Sequence, residues 1–315
     1  MACHFTRFAL GSIKIIINIS VRTKLEFNIA EKRHKNRLDR YLYEQITAVS
    51  RMYLYDLIRS GDCLVNGEPK VGGYHLQAGD AIEIAVDLSA ETAMMPENIA
   101  LEIVFEDAEI MVINKPPGML VHPTKGVRSG TLLNALTYYL NYVGKSAPPE
   151  TFIRPGLVHR LDKKTSGLMV IAKNPGSHKR LSKHFQHKLV GKKYYAVVEG
   201  LITEDFGKIE APIGRDAEER VWLVSADGKP AETNFQIIKR LTDATLLELE
   251  PVTGRTNQLR LHCAHIGHPV VGDDKYGGRE YARLCLHAYK LSFYHPIDNR
   301  RLDFELDLPK DFPFE

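Results

Sequence analysis

Residues 167–172 (GLMVIA) constrain this chain most, because every position after the glycine is apolar. Such a run suits a strand buried in a core. Running into it is HRLDKKTSG, residues 159–167, in which Asp162 has His159 and Arg160 on one side and Lys163 and Lys164 on the other. The acid therefore sits in a short turn at the mouth of a core strand, where its position is held firmly. A carboxylate fixed there among so many cations needs a reason.

The surrounding pattern gives the fold class. Residues 101–105, 110–114, 194–198, 234–239 and 245–249 read as short strands. Residues 131–143, capped by Ser129 or Thr131, then 175–189 and 256–266 read as helices, the last ended by Gly267. Strands follow one another through both short turns and helical excursions, without regular βαβ alternation. The expectation is an α+β catalytic domain over residues 99–315, with a central, mostly antiparallel mixed sheet flanked by helices and loops.

Ahead of it, residues 23–86 form a smaller unit. Leu38, Leu42 and Ile46 recur at helical spacing, and a second helix from the potential N-cap Ser50 carries Leu54 and Ile58. Gly61 ends it, and Asn66-Gly67 marks a hairpin turn before a strand at 81–84. Residues 1–22 are expected to be an extension or edge strand. Their apolar run is interrupted by Lys14 and falls short of the roughly 20 residues a membrane span needs. Residues 87–98 are polar, contain a proline and read as a linker.

At 315 residues the chain is long enough for more than one domain, and its net charge of +3 is too small to prove a nucleic-acid partner by itself. Cys3, Cys63, Cys263 and Cys285 are scattered without a CxxC pair, as in a cytoplasmic protein with reduced thiols.

Four segments stand out: NKPPGMLVHP (114–123), RPGLVHRLDKKTSG (154–167), GKKYYAVVEG (191–200) and GRTNQLRLHCAHIGHPVVGD (254–273). Each alone has a bland reading: a plain turn at Lys115, a packed strand residue at Tyr194, a surface ion pair at Arg260. In this order and spacing they resemble the motif set of the RluA-type pseudouridine synthases. Residues 35–86 resemble the α-L RNA-binding domain, shared by a small-subunit ribosomal protein and several RNA-modifying enzymes.

The resemblance implies isomerisation of uridine to pseudouridine in structured RNA, with large-subunit ribosomal RNA as the expected substrate. The bond from the base nitrogen to ribose carbon 1′ is broken and the sugar is rejoined to carbon 5. Nothing is oxidised and no phosphate is consumed, so no cofactor or metal is expected. An ionised carboxylate beside the sugar is needed, and the resemblance assigns this to Asp162. The sequence leaves open whether the carboxylate attacks carbon 1′ or takes a proton from carbon 2′. By the same resemblance Arg260 is the ion-pair partner of Asp162, opposing the upward pKa shift that burial imposes. Tyr194 stacks on the target base, while Tyr195 points to the opposite face of the strand. Asn257 stands where the family more often has histidine.

A stacked uridine must be flipped out to reach a recessed acid. Arg160 is the candidate for holding it, against a plain structural role. Residues 178–193 form a basic stretch with Lys179, Arg180 and Lys183 outward over Leu181, Phe185 and Leu189, a natural phosphate rail or simply a solvated face. Arg37, Arg40 and Arg51 are the corresponding candidates in the small unit. A zinc site from His262, Cys263, His265 and His268 is rejected, because Gly267 breaks the helix and no second ligand pair is evident. The partner is thus RNA, with no membrane, and the chain is expected to be a cytoplasmic monomer. The rivals are a catalytically silent RNA-binding or ribosome-assembly factor, a synthase acting on transfer RNA, and a carboxylate-based glycoside or nucleoside hydrolase, for which no second acid is evident.

Overall fold

Leu38 and Leu42 on one helix and Leu54, Leu57 and Ile58 on the next bury one face each, and a small sheet supplies the opposing wall with Val65, Ile82 and Ile84. These elements belong to the first of two compact units, Met1–Thr92 and Ala93–Glu315, seen in a computed structural model. It describes residues 22–313 apart from 47, 48, 50, 88–94, 125, 145–151, 217, 219 and 220. The expectations for residues 1–21, Cys3 and the Ser50 cap lie outside the described residues.

The first unit runs β1 (Arg22–Asn28), α1 (Leu38–Gln45), α2 (Arg51–Ser60), β2 (Cys63–Val65), β3 (Glu68–Pro69) and β4 (Ala81–Asp87). The sheet order is β1-β4-β2-β3, all antiparallel. Asn66 and Gly67 both take positive φ (55° and 80°), the mirror-image turn that an Asn-Gly pair favours between twisted strands. Arg37, Arg40 and Arg51 are exposed. Arg37 grips the buried Asp39 through two hydrogen bonds (3.1 and 2.8 Å), and Arg40 pairs with Glu44.

The second unit continues with β5 (Glu102–Glu106), β6 (Ile110–Lys115), α3 (Leu132–Tyr142), β7 (Gly156–Leu157), β8 (Ser166–Ala172), α4 (Pro175–Gln186) and β9 (Gly191–Glu199). There follow β10 (Phe206–Glu210), β11 (Ile213–Arg215), β12 (Trp222–Val224), β13 (Glu232–Arg240), β14 (Ala244–Pro251), α5 (Gln258–His265), β15 (Leu286–Tyr294) and β16 (Arg301–Glu305). Ten strands make one sheet, ordered β10-β13-β14-β9-β15-β8-β6-β5, with β16 on β15 and β7 on β8. Every pairing in it is antiparallel except β15 with β8. This is the expected α+β fold with a mostly antiparallel mixed sheet. The apolar run of β8 is buried at every position.

One helix differs from expectation. α4 stops at Gln186, because Lys188 takes a positive φ of 58°, and Leu189 is 51% exposed rather than part of an inner stripe. α3 is capped by Thr131, whose hydroxyl and Asn134 bond reciprocally. The end of the expected linker is tied to this helix. Asn134 donates to the Met95 carbonyl (2.8 Å), and the Glu97 carboxylate accepts from the Gly130 amide (2.9 Å).

Candidate active site

The turn before β8 is built from below by a lysine. Lys115, at the end of β6, is fully buried, and its Nζ donates to the carbonyls of Pro116 (2.7 Å), Met119 (3.0 Å) and Lys163 (3.3 Å). Burial, then the nearby Arg283, pushes its pKa down to about 8, with Asp162 acting in the opposite sense. The Thr165 amide closes the turn on the Asp162 carbonyl (3.2 Å). On its far side Ser166 meets His287 Nδ1 (2.7 Å) and accepts from the Arg283 guanidinium. The turn that carries Asp162 is therefore held between two cations.

Asp162, Tyr194, Arg260 and Arg160 all line one cleft of about 880 Å³. Tyr194 reaches it because alternation along β9 sends Tyr195 to the other face, where it stacks on Tyr289 with centroids 3.7 Å apart. Lys188 and Lys192 also line the cleft, and Arg160 is exposed there. Burial raises the Asp162 pKa, and Arg260, Arg160 and Lys115 offset part of that shift. Burial, and then Asp162, drives the Tyr194 hydroxyl upward as well, so the phenol keeps its proton.

One expected contact is corrected. Arg260 donates not to Asp162 but to Asp273, from Nε to Oδ2 (2.7 Å) and from Nη2 to Oδ1 (2.6 Å). Asp273 is fully buried and lies at the right height to take the fork, whereas Asp162 feels Arg260 only through space. Among the described residues no Lys or Arg nitrogen forms a contact ion pair with Asp162. Lys164 ties the two segments together by its 2.6 Å pair with Asp274. Asp273 stood in the quoted 254–273 segment without a role; its only signal was an acid following an apolar stretch.

His159, read from the sequence as one of the basic groups around Asp162, is corrected to a neutral one. Its Nε2 accepts from the Val170 amide (3.0 Å) and its ring stacks on Phe185 (4.7 Å). Burial, with Lys192 nearby, pushes its pKa to about 3, so the ring is a neutral wall of the cleft. Of the histidines weighed for zinc, His265 is exposed at the end of α5, while His262 and His268 bond groups of the protein itself. His262 Nε2 donates to the Ala211 carbonyl (3.0 Å) and its Nδ1 bonds Thr233 (2.9 Å), while His268 bonds the Glu199 carbonyl (2.6 Å). Lys179, Arg180 and Lys183 are exposed on α4 outside the cleft, which borders the end of that helix at Phe185 and Gln186. Arg180 also donates to the Pro296 carbonyl.

A mostly antiparallel α+β sheet with a recessed acid and tyrosine in a cationic cleft defines an enzyme acting on a polyanion. The comparisons with known proteins say which kind. The model of the RNA pseudouridylate synthase family matches residues 109–265. The uncharacterized RNA pseudouridine synthase YlyB of Bacillus subtilis is 38% identical over 292 residues, covering 91% of this chain and 95% of that protein. Ribosomal large subunit pseudouridine synthase D of Pasteurella multocida is 39% identical over 294 residues, 88% and 89% of the two chains. The solved human RNA pseudouridylate synthase domain containing 1 aligns with a TM-score of 0.56 and 28% identity, over 67% of this chain and 84% of that one. The chain belongs to the RluA-type RNA pseudouridine synthase family and is an RNA pseudouridine synthase. No described helix is long and apolar enough to cross a membrane.

Proposed function

We propose that this enzyme converts specific uridines of large-subunit ribosomal RNA to pseudouridine, with Asp162 as nucleophile. The observation that carries the reading is Asp162 itself: a recessed carboxylate, free of any contact ion pair, lining one cleft with Tyr194. The bond from carbon 1′ to the base nitrogen breaks as a bond from carbon 1′ to the carboxylate forms. The released uracil anion turns, its carbon 5 attacks carbon 1′, the carboxylate leaves, and the carbon 5 proton is lost. Through-space attraction from Arg260 and Lys115 favours the ionised acid that this sequence requires.

Arg160, exposed at the cleft, is suited to hold the flipped nucleotide, and Lys179, Arg180 and Lys183 to track the phosphates beside it. Arg37, Arg40 and Arg51 give the first unit, read as an α-L RNA-binding domain, its own phosphate-facing charges. Similarity to a ribosomal large subunit pseudouridine synthase of Pasteurella multocida supports ribosomal RNA over transfer RNA. The enzyme is read as a cytoplasmic monomer without a cofactor. The test is Asp162→Asn assayed on large-subunit ribosomal RNA fragments. RNA binding should persist and pseudouridine formation should vanish; a tenth or more of wild-type turnover (about 1.4 kcal/mol of barrier or less) would remove Asp162 from the role. Uridine deuterated at carbon 2′ should react without a primary isotope effect, whereas a large effect would make Asp162 a base.

A further inference from the structure

Glu250, near the end of β14, is the one carboxylate besides Asp162 among the described residues that line the catalytic cleft. It is exposed, and it shares neither a hydrogen bond nor an ion pair with any described residue. A bare carboxylate repels the phosphates that such a cleft admits, so its place there calls for a partner that offers N–H groups. Glu250 also lines a second hollow of about 490 Å³, formed by strands β9, β10, β13 and β14. The two cavities therefore share this side chain as a common wall.

The strand registers set out the second hollow as two rows on one face of the sheet. Phe206 stands opposite Gln236, and Gln236 opposite Glu248; Lys208 stands opposite Asn234, and Asn234 opposite Glu250. Directly opposed residues share a face, with Cβ atoms about 5 Å apart. Phe206 is 77% exposed on β10, an edge strand, so its ring is open to a flat ligand. The strand beneath it is braced at Gly207, where a methyl group would stand 2.6 Å from the Phe235 ring. The basic groups of the hollow are already answered. Lys193 pairs with Glu248 (2.6 Å), and Lys208 with Glu210 (3.3 Å) and Glu232 (3.5 Å). What stays without a partner among the described residues is the Glu250 carboxylate, the side-chain amides of Asn234 and Gln236, and the open Phe206 ring.

That set suits a nucleobase and not a phosphate. Unpaired RNA bases are held by stacking on an aromatic ring while side chains bond their Watson–Crick edge. A carboxylate only accepts, through two oxygens. Guanine alone offers it two adjacent donors, N1–H and the 2-amino group, and its O6 beside them accepts from a side-chain amide. Adenine and cytosine set one amino donor next to a ring-nitrogen acceptor, and the N3–H of uracil lies between two carbonyls. We infer that Phe206, Asn234, Gln236 and Glu250 form a subsite for an unpaired guanine of the same RNA whose uridine enters the catalytic cleft. Phe206 is its platform and Glu250 its base-selecting group. This rests on the reading of that cleft as the place that receives RNA, and it is independent of the chemical role of Asp162. A hollow of this size lies within the range that buries a small organic ligand, about 300–1,000 Å³.

The test titrates the full-length protein into fluorescein-labelled octamers of adenosine that carry one uridine and a single guanosine, moved one position at a time. Anisotropy reads the affinity. At one spacing from the uridine, guanosine should bind about tenfold tighter than adenosine. Inosine at that position lacks the 2-amino group and should lose most of the gain; this comparison needs no variant. Glu250→Gln should bring guanosine and adenosine to within about twofold, although loss of a negative charge favours RNA in general. Phe206→Ala should weaken both by about tenfold and preserve their ratio, because stacking tolerates every base. Both side chains lie on the surface of the sheet, and thermal melting checks that each variant is folded. Equal affinity at every guanosine position overturns the inference, as does a guanosine preference that survives Glu250→Gln. So does a dimer in sedimentation equilibrium that Phe206→Ala dissolves, which would make the edge strand a protein interface. An active Asp162→Asn would remove the nucleophile and leave these affinities untouched, so the two readings fail separately.

Discussion

Gly167 and Ala288 meet backbone against backbone at the parallel step of the large sheet. A methyl group on Gly167 would lie 2.3 Å from the Ala288 carbonyl oxygen and 2.6 Å from its amide nitrogen, and Gly167 holds a φ of 116°. The glycine of the TSG triplet is thus required by how closely β8 runs beside β15, five residues after Asp162. Replacement by alanine meets backbone that cannot swing aside. Gly167→Ala should destabilise the fold by about 3 kcal/mol or more, seen as a lower urea midpoint, and should lower activity with it. An unchanged midpoint would mean the strands tolerate separation there.

Lys115 gives a stability effect with a defined sign. Its unfolded value is 10.5 and its folded value is depressed to about 8. Between those pH values the unfolded chain binds the extra proton, so rising pH favours the folded state through this residue. The gain over that window is on the order of 3 kcal/mol, since each unit is worth about 1.4 kcal/mol. Lys115→Met abolishes the titration. Urea unfolding at pH 7.5 and pH 10.5 should therefore show wild type gaining on the variant at the higher pH. A gap that does not change with pH would mean the lysine is not held against its charge.

Arg260→Ala removes the partner of a buried carboxylate as well as the cation nearest in effect to Asp162. Leaving Asp273 unpaired should cost about 3–5 kcal/mol of stability. The acid limb of kcat/KM should move to higher pH, because the largest influence lowering the Asp162 pKa is gone. A limb that does not move would mean Arg260 serves Asp273 alone.

The three central residues of the cleft were legible because each lies in a segment whose residue types and spacing resemble a known motif. Their partners were not. The 260 and 273 positions are joined across a helix and a turn, and no local pattern says which acid an arginine will take. β15 escaped notice for a backbone reason: its register slips between Ala288 and Lys290, so the in–out alternation of LHAYKLSFY breaks midway. A reader counting every second residue finds no continuous apolar face. α4 was read too long because the apolar spacing continues through Leu189, while a left-handed Lys188 turns the chain away first. By contrast β8 and the Asn66-Gly67 hairpin declare themselves within a few residues, where local sterics and burial decide the outcome.

Tyr194 offers the sharpest division between stacking and proton transfer. Its ring lines the cleft with Asp162, and its hydroxyl is held in the protonated form by burial and by the neighbouring carboxylate. A phenol in that state can donate a hydrogen bond or relay a proton, but it is not a standing phenolate base. Tyr194→Phe keeps the ring and removes only the hydroxyl. RNA affinity should then stay within about twofold, while release of tritium from carbon 5 of labelled uridine slows by about 100-fold or more, the usual range for a lost proton-transfer group. By then the sugar is already joined to carbon 5 and the carboxylate has left, so the stalled species should be an RNA that still carries the carbon 5 proton, with no covalent bond to the enzyme. Tritium release at the wild-type rate in Tyr194→Phe would confine the residue to stacking, and the same rate in Tyr194→Ala would exclude it from the reaction.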